Sequence, residues 1–300
     1  MSTSVLVCDD VKATTWPRVA DFIELTKPRI AVLELVTVAM AAFTARWMVP
    51  DAALLGWLLA GTTLVAAGAS ALNQWLEIDF DARMPRTIDR PLPAGRITPR
   101  QALAFGLVTT VVGTLMLALK VNLLTALLGF ATWFLYVVVY TPMKRVTPLN
   151  TVVGAVAGAI PILMGWAAVE GRFGLSAAAL FMIVFLWQFP HFMAIAWIYR
   201  DDYARGGMQM STVVDPTGRR AAKLAFTTAL ALIPVSLLPS VVDSAGPAYF
   251  VWAAVLGSIQ AACAARFLFR QDERTARTLL RATLIYLPSL LLMLMLGPFS

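Results

Sequence analysis

The sequence predicts an all-α membrane protein of nine transmembrane helices, and three observations carry that prediction. Of its 300 residues 59% are hydrophobic and only 14% are charged. Apolar runs of the roughly 18 to 25 residues needed to cross a hydrocarbon core recur along the whole chain. The basic residues, finally, gather between alternate runs. The runs are 30–49, 52–76, 101–119, 121–140, 149–168, 174–199, 222–240, 245–265 and 278–297. Each should be a helix, because a lipid-facing segment must satisfy its backbone hydrogen bonds internally. They are continuous and do not alternate in segments of about ten residues, which speaks against barrel strands.

Ahead of the first run, residues 1–28 carry acids and no apolar stretch of signal-peptide type, so they are expected as a cytoplasmic or interfacial segment, with a short helix at 17–27. Residues 29–300 then form a single transmembrane domain. With the N-terminus inside, only Arg46, Lys120 and Arg172 fall outside, leaving 21 of the 24 basic residues on one face. That is the lysine and arginine bias of cytoplasmic loops, and a missed or invented span would scramble it. The expected orientation is therefore N-terminus in and C-terminus out, in the cell's inner membrane. The net charge of +7 reports this topology and implies no nucleic acid. Cys8 and Cys263 fit neither a disulfide framework nor a zinc site.

Two inside connections are long, 77–100 and 200–221, and together hold Glu77, Asp79, Asp81, Asp89, Asp201, Asp202 and Asp215. Long loops in a compact protein are usually functional, so the chemistry is sought there. Asn73, Glu77 and Asp81 stand four residues apart and share one face if the second span continues as a helix. Three oxygen-bearing side chains on one stripe near the membrane surface suit Mg²⁺, which takes carboxylates and completes its shell with water or phosphate. An ordinary polar helix end has the same spacing. Asp79 points off the stripe.

Arg86 and Arg90 follow within nine residues of Asp81. Guanidinium groups bind phosphate oxygens bidentately, so acids with metal on one side and arginines on the other suit a diphosphate. The third inside element, Tyr140-Thr-Pro-Met-Lys144-Arg145, is short, so its cations lie at the membrane surface, within reach of the same anion or of lipid headgroups. His191, the chain's single histidine, precedes Arg200 by nine residues and so lies well inside the bilayer, beside the helix-bending Pro190. An ionisable group at that depth is a functional candidate, and so is Glu34 in the first span. Gly154, Gly158 and Gly165 read as close helix packing.

At these residues the sequence resembles the UbiA superfamily of intramembrane prenyltransferases, whose first aspartate-rich motif matches residues 73–81. Further stretches resemble the branch that farnesylates heme. These are Leu25-Thr-Lys-Pro-Arg-Ile30, Asp81 to Pro91, Asn150 to Gly154 with Gly158 to Pro161, and Trp187-Gln-Phe-Pro-His-Phe192 with Asp201-Asp-Tyr203. They run in order from about residue 22 to 216; the last three spans match in hydropathy alone. The resemblance implies a UbiA-like helical bundle with its active site on the cytoplasmic side. Farnesyl diphosphate and heme b are the implied substrates, with Mg²⁺ as cofactor.

By position, Asn73, Glu77 and Asp81 would hold the metal, completed by Asp201 or Asp202. Arg86, Arg90 and Lys144 would stabilise the leaving diphosphate. Asn73, Tyr140, His191 and Tyr203 would contact substrate, His191 near the heme. Trp75, Phe189, Phe192 and Tyr203 are candidates for shielding an allylic cation. One departure is that Arg205 stands where the superfamily's second motif commonly has an acid. Association with a downstream heme-modifying enzyme is compatible with this reading. The nearest alternative is a relative that prenylates an aromatic or quinone precursor. A transporter would need inverted repeats that the sequence does not clearly show, and a heme-carrying subunit would leave the acid stripe unexplained.

Overall fold

A computed structural model describes residues 18–242 and 245–296. Lys12, Cys8 and the end of the last expected run at 297 lie outside the described residues. In chain order the helices are α1 (Val19–Leu25), α2 (Pro28–Thr44), α3 (Ala52–Leu76), α4 (Ile78–Asp81), α5 (Pro99–Lys120) and α6 (Leu123–Phe134). A π-helical turn, Leu135–Tyr140, carries α6 into α7 (Thr141–Met143). Then come α8 (Asn150–Glu170), α9 (Leu175–Ile198), α10 (Arg200–Arg205), α11 (Ser211–Val214), α12 (Arg219–Val242), α13 (Pro247–Phe269) and α14 (Glu273–Leu296). The described residues contain no strand.

Helices α3, α5 and α6 start where the sequence supplies a cap. Asp51 accepts the Leu54 amide at 3.0 Å and Asn122 the Thr125 amide at 2.8 Å. Thr98 and Gln101 form a reciprocal box ahead of α5, with Pro99 at its first position. Among the described residues eight helices are long and apolar enough to cross a membrane: α3, α5, the composite Leu123–Met143, α8, α9, α12, α13 and α14. The first expected run, 30–49, is cut short. Its helix α2 has 17 residues, about 25 Å of rise, and stops at Thr44. The Thr44 hydroxyl bonds back to the Met40 carbonyl at 3.0 Å, and Trp47 turns the chain with φ 52°, a conformation that ends a right-handed helix.

Small residues set the closest approaches. A Cβ on Gly165 of α8 would sit 2.1 Å from the Val38 carbonyl oxygen of α2, so these two backbones touch. Arg46, just beyond α2, and Glu170, the last residue of α8, pair at 2.7 Å, so the two helices run parallel. Gly154 and Gly158 make room for side chains: Gly154 for the Tyr140 ring and Gly158 for the Gln188 amide.

The two long loops meet at one end of the bundle. Met84 of the first and Met208 and Met210 of the second form a buried cluster with Phe80, Tyr203 and Val213. At its far end the second loop turns tightly through Gly218, φ 71°, where any side chain would collide with the Trp197 indole. The short helix α1 is pinned against the same end. Gln74 donates to the Leu25 carbonyl at 2.8 Å, and Arg96 reaches Asp21 at 2.7 Å and Glu24 at 2.5 Å.

Candidate active site

The stripe expected at 73–81 survives an interruption in the helix. Glu77, with φ −104° and ψ 9°, separates α3 from α4. The four-residue hydrogen-bond register nevertheless continues, from the Glu77 amide to Asn73 O at 3.1 Å and from the Asp81 amide to Glu77 O at 2.8 Å. All three side chains are buried, while Asp79 is exposed.

Each member of the stripe holds a cation. Lys27 Nζ donates to Asn73 Oδ1 at 2.7 Å, Lys144 Nζ lies 2.9 Å from Glu77 Oε1, and Arg90 Nη1 lies 2.6 Å from Asp81 Oδ2. Unpaired, these groups would be costly so far from water; paired, they are held in one geometry. Three cations against two carboxylates leave an excess of positive charge. Burial, then the neighbouring Arg90 and Lys144 charges, bring the Lys27 ammonium down to about 7. Burial also opposes the Lys144 charge, but Glu77 together with Tyr140 and Tyr136 outweighs it and raises Lys144 above its ordinary value. Burial disfavours the Glu77 carboxylate too; Lys144 and Lys27 overcome this and hold it below the usual range. Burial pushes Asp81 up, and Arg90 offsets that only in part.

Further contacts fix these groups from other elements. The Asn73 amide donates to Thr141 Oγ1 at 3.0 Å, and Thr141 donates to Tyr136 O at 2.8 Å within the π-helical turn. That extra residue per turn places Thr141 where it meets Asn73, as π-bulges at functional sites often do. The Lys144 carbonyl accepts the Gln209 amide at 2.6 Å, and buried Asn150 donates to Thr147 O at 2.6 Å and Gln209 O at 3.4 Å. Lys144 is thus tied to both loops.

Aromatic faces lie beneath the cations. Lys144 sits 4.6 Å from the Tyr140 ring centre, and Tyr140 stacks on Tyr136. The exposed Arg86 lies 4.5 Å over Tyr199 and 5.6 Å over Tyr203. Its guanidinium therefore bridges from the first loop to the second. Arg145 serves the fold: it donates to the Leu76 carbonyl at the end of α3 and stacks 4.0 Å over Phe80.

The second-loop acids do not join the stripe. Among the described residues no three His, Cys, Asp or Glu side chains gather where one ion could be held. Tyr203 of α10 packs inward on the methionine cluster, and a residue two places away cannot share that face. Asp201 accordingly points to solvent, its side chain 74% exposed, and Asp202 turns toward Arg205 at 3.8 Å. The aromatic set is also redistributed. Trp75 packs with Leu25 and Phe22, Phe192 against the α9–α12–α13 core, and Phe189 edge-on to Phe185.

Deeper in the bundle, His191 stacks on Trp187 at 4.9 Å and meets Thr283 of α14 at 2.9 Å. Glu34 is half-buried on α2. Sequence reasoning missed Lys27, Thr141, Tyr136, Tyr199 and Thr283. Lys27 and Thr141 left a signal, in the Thr-Lys-Pro-Arg stretch that opens the first span and in the Tyr140-Thr-Pro-Met-Lys144 stretch.

The sequence profile of the UbiA prenyltransferase family matches residues 35–293. A protoheme IX farnesyltransferase of Anaeromyxobacter sp. (strain Fw109-5) is 46% identical over 277 residues, covering 92% of this chain and 93% of that protein. A digeranylgeranylglyceryl phosphate synthase structure superposes with a TM-score of 0.79 at 16% identity, covering 93% of this chain and 98% of the other. A UbiA homolog from Archaeoglobus fulgidus bound to GPP and Mg²⁺ superposes with a TM-score of 0.64 at 12% identity, covering 91% and 99%. With a buried acid stripe at the end of a helical bundle that shares this fold, the chain belongs to the UbiA prenyltransferase family.

Proposed function

We propose that this chain transfers the farnesyl group of farnesyl diphosphate to a vinyl group of heme b, with addition of water, giving heme O and diphosphate. The observation that carries the reading is its likeness, along nearly the whole length, to a named protoheme IX farnesyltransferase. The charge arrangement supports it. Lys27, Lys144 and Arg90 surround two buried carboxylates, with Arg86 at the rim, an arrangement suited to a trianionic or tetra-anionic diphosphate accompanied by a divalent cation. Glu77 and Asp81 with the Asn73 amide are an oxygen set that fits Mg²⁺, which when bound would neutralise charge building on the leaving diphosphate.

The chain's own residues account for the remaining chemistry. As the C1–oxygen bond of the farnesyl group breaks, its electron pair leaves with the diphosphate, whose growing charge the three cations stabilise. The faces of Tyr136, Tyr140, Tyr199 and Tyr203 line the same end of the bundle and favour the allylic cation. The terminal vinyl carbon of heme b gives its π pair to C1. Positive charge moves to the vinyl carbon beside the porphyrin ring. Water adds there and loses a proton to diphosphate or solvent, leaving the hydroxyethylfarnesyl side chain. His191, at membrane depth, is the proposed contact to the heme.

The proposal extends to topology. Helix α2 is the ninth crossing, the acid stripe faces the cytoplasm, and the C-terminus lies outside the cell's inner membrane. Residues 29–300 act as one catalytic unit, and a heme-modifying enzyme that consumes heme O would meet it in the same bilayer. Offering purified protein heme b and an aromatic or quinone precursor together, with farnesyl diphosphate and Mg²⁺, tests the acceptor. Farnesylated heme is the expected product. Prenylation of the aromatic compound alone would overturn the reading.

A further inference from the structure

Thr283 lies on α14, and its hydroxyl touches two groups. It stands 2.7 Å from the Leu280 carbonyl oxygen and 2.9 Å from His191 Nδ1. A hydroxyl has one proton. A carbonyl can only accept, and two oxygens 2.7 Å apart need a proton between them, so the Thr283 hydroxyl donates to Leu280. Toward His191 the same oxygen is then an acceptor, and His191 Nδ1 must carry the hydrogen. In the neutral ring this leaves Nε2 with a bare lone pair. No partner for Nε2 is found among the described residues.

The ring's orientation is fixed from a second direction. Trp187, one turn earlier on α9, stacks on His191 with 19° between planes and donates its indole N–H to the Thr283 backbone carbonyl at 2.8 Å. Thr283 therefore holds the histidine through its side chain and the stacked tryptophan through its backbone. His191 lies eight residues before Tyr199, over which Arg86 stacks, roughly 12 Å along the helix. A ligand bound at Nε2 would therefore sit below the diphosphate end of the bundle, on the membrane side.

We propose that Thr283 is a positioning residue that locks His191 in the Nδ1–H tautomer and thereby presents Nε2 as a ligand to the iron of the heme acceptor. The inference rests on the heme-farnesylating function proposed above. A ligating histidine that gives its other N–H to a fixed acceptor is the arrangement that raises ligand basicity and sets ring orientation. With the iron at Nε2, the macrocycle edge that bears the vinyl groups can turn toward the diphosphate end, where the allylic carbon is released.

The experiment titrates purified full-length wild type, Thr283→Val, Thr283→Ser and His191→Ala with ferric heme b and with iron-free protoporphyrin IX, following the Soret band. Valine keeps the shape and the backbone carbonyl that Trp187 uses but cannot accept from Nδ1. Thr283→Val should lose the histidine-ligated Soret signature and weaken heme b binding about 10- to 100-fold. Thr283→Ser should restore both, and protoporphyrin IX should bind all four proteins alike. Wild-type heme binding by Thr283→Val, with His191→Ala defective, would overturn the role of Thr283 alone. An equal loss of protoporphyrin IX would also overturn it, by showing that the residue only shapes the pocket. Unchanged heme binding by His191→Ala would overturn the iron contact, and the acceptor assay above would then decide separately whether heme is the substrate.

Discussion

Glu77 and Lys144 form a pair whose members are 5% and 13% exposed and 2.9 Å apart. Replacing Glu77 with Gln keeps the shape and removes the charge, leaving Lys144 without its counterion in a buried site. Breaking such a pair from one side costs about 3–5 kcal/mol; the slight exposure of Lys144 places this case near about 3. The complementary change Lys144→Met should cost a similar amount. The double variant removes both charges and should recover most of the stability, giving a coupling energy of at least about 2 kcal/mol. Activity should behave differently. Each single variant should lose about 100- to 1,000-fold in turnover, the range for removing one preorganised electrostatic group, and the double variant should stay inactive. The assay is unfolding of all four proteins in mixed micelles by sodium dodecyl sulfate, alongside product formation followed by mass. Additive destabilisation in the double variant would refute the pairing. Recovered turnover would refute the catalytic assignment of both residues.

Three other outcomes follow from the same geometry. Chelating divalent metal should abolish turnover yet leave the unfolding midpoint unchanged, because Asn73, Glu77 and Asp81 each already hold a cationic side chain; a large drop in the midpoint would show that the fold depends on metal. Arg86→Lys should lower turnover several-fold, since an ammonium on a flexible stem cannot lie flat across Tyr199 and Tyr203 as the guanidinium does; wild-type rates would remove Arg86 from the site. Asp201→Asn should leave turnover within about twofold, because that carboxylate faces solvent; a loss of 100-fold would show that the second loop rearranges to bring Asp201 to the metal.

Much of this arrangement could be read from the chain, and the parts that could not have physical reasons. Hydropathy and the placement of arginines give the helices, because the bilayer imposes length and composition on each crossing. The stripe at 73, 77 and 81 is legible because helical periodicity is local. What pairs with it is not. Lys27 and Lys144 are 46 and 67 residues from their partners, and only packing of α2 and the π-helical turn against α3 brings them there. The same limit applies to Thr283, an ordinary residue in an apolar run until α14 lies against α9. For Asp201 and Asp202 motif position suggests a ligand, whereas side-chain direction in α10 is set by Tyr203 packing on Met84, Met208 and Met210. The end of α2 also escaped the hydropathy reading, because the turn at Trp47 depends on backbone conformation rather than polarity.

The paired charges at Glu77 and Asp81 are proposed as the seat at which a farnesyl group is released to heme, a role open to direct test. Its most direct test incubates purified protein with heme b, farnesyl diphosphate and Mg²⁺, and follows the porphyrin product by mass for wild type and Asp81→Asn. Heme O is expected from the wild type, with one diphosphate released per heme consumed, and at least about a 100-fold lower rate from the variant. Unmodified heme b in the presence of folded wild type, or equal rates from the two proteins, would contradict it.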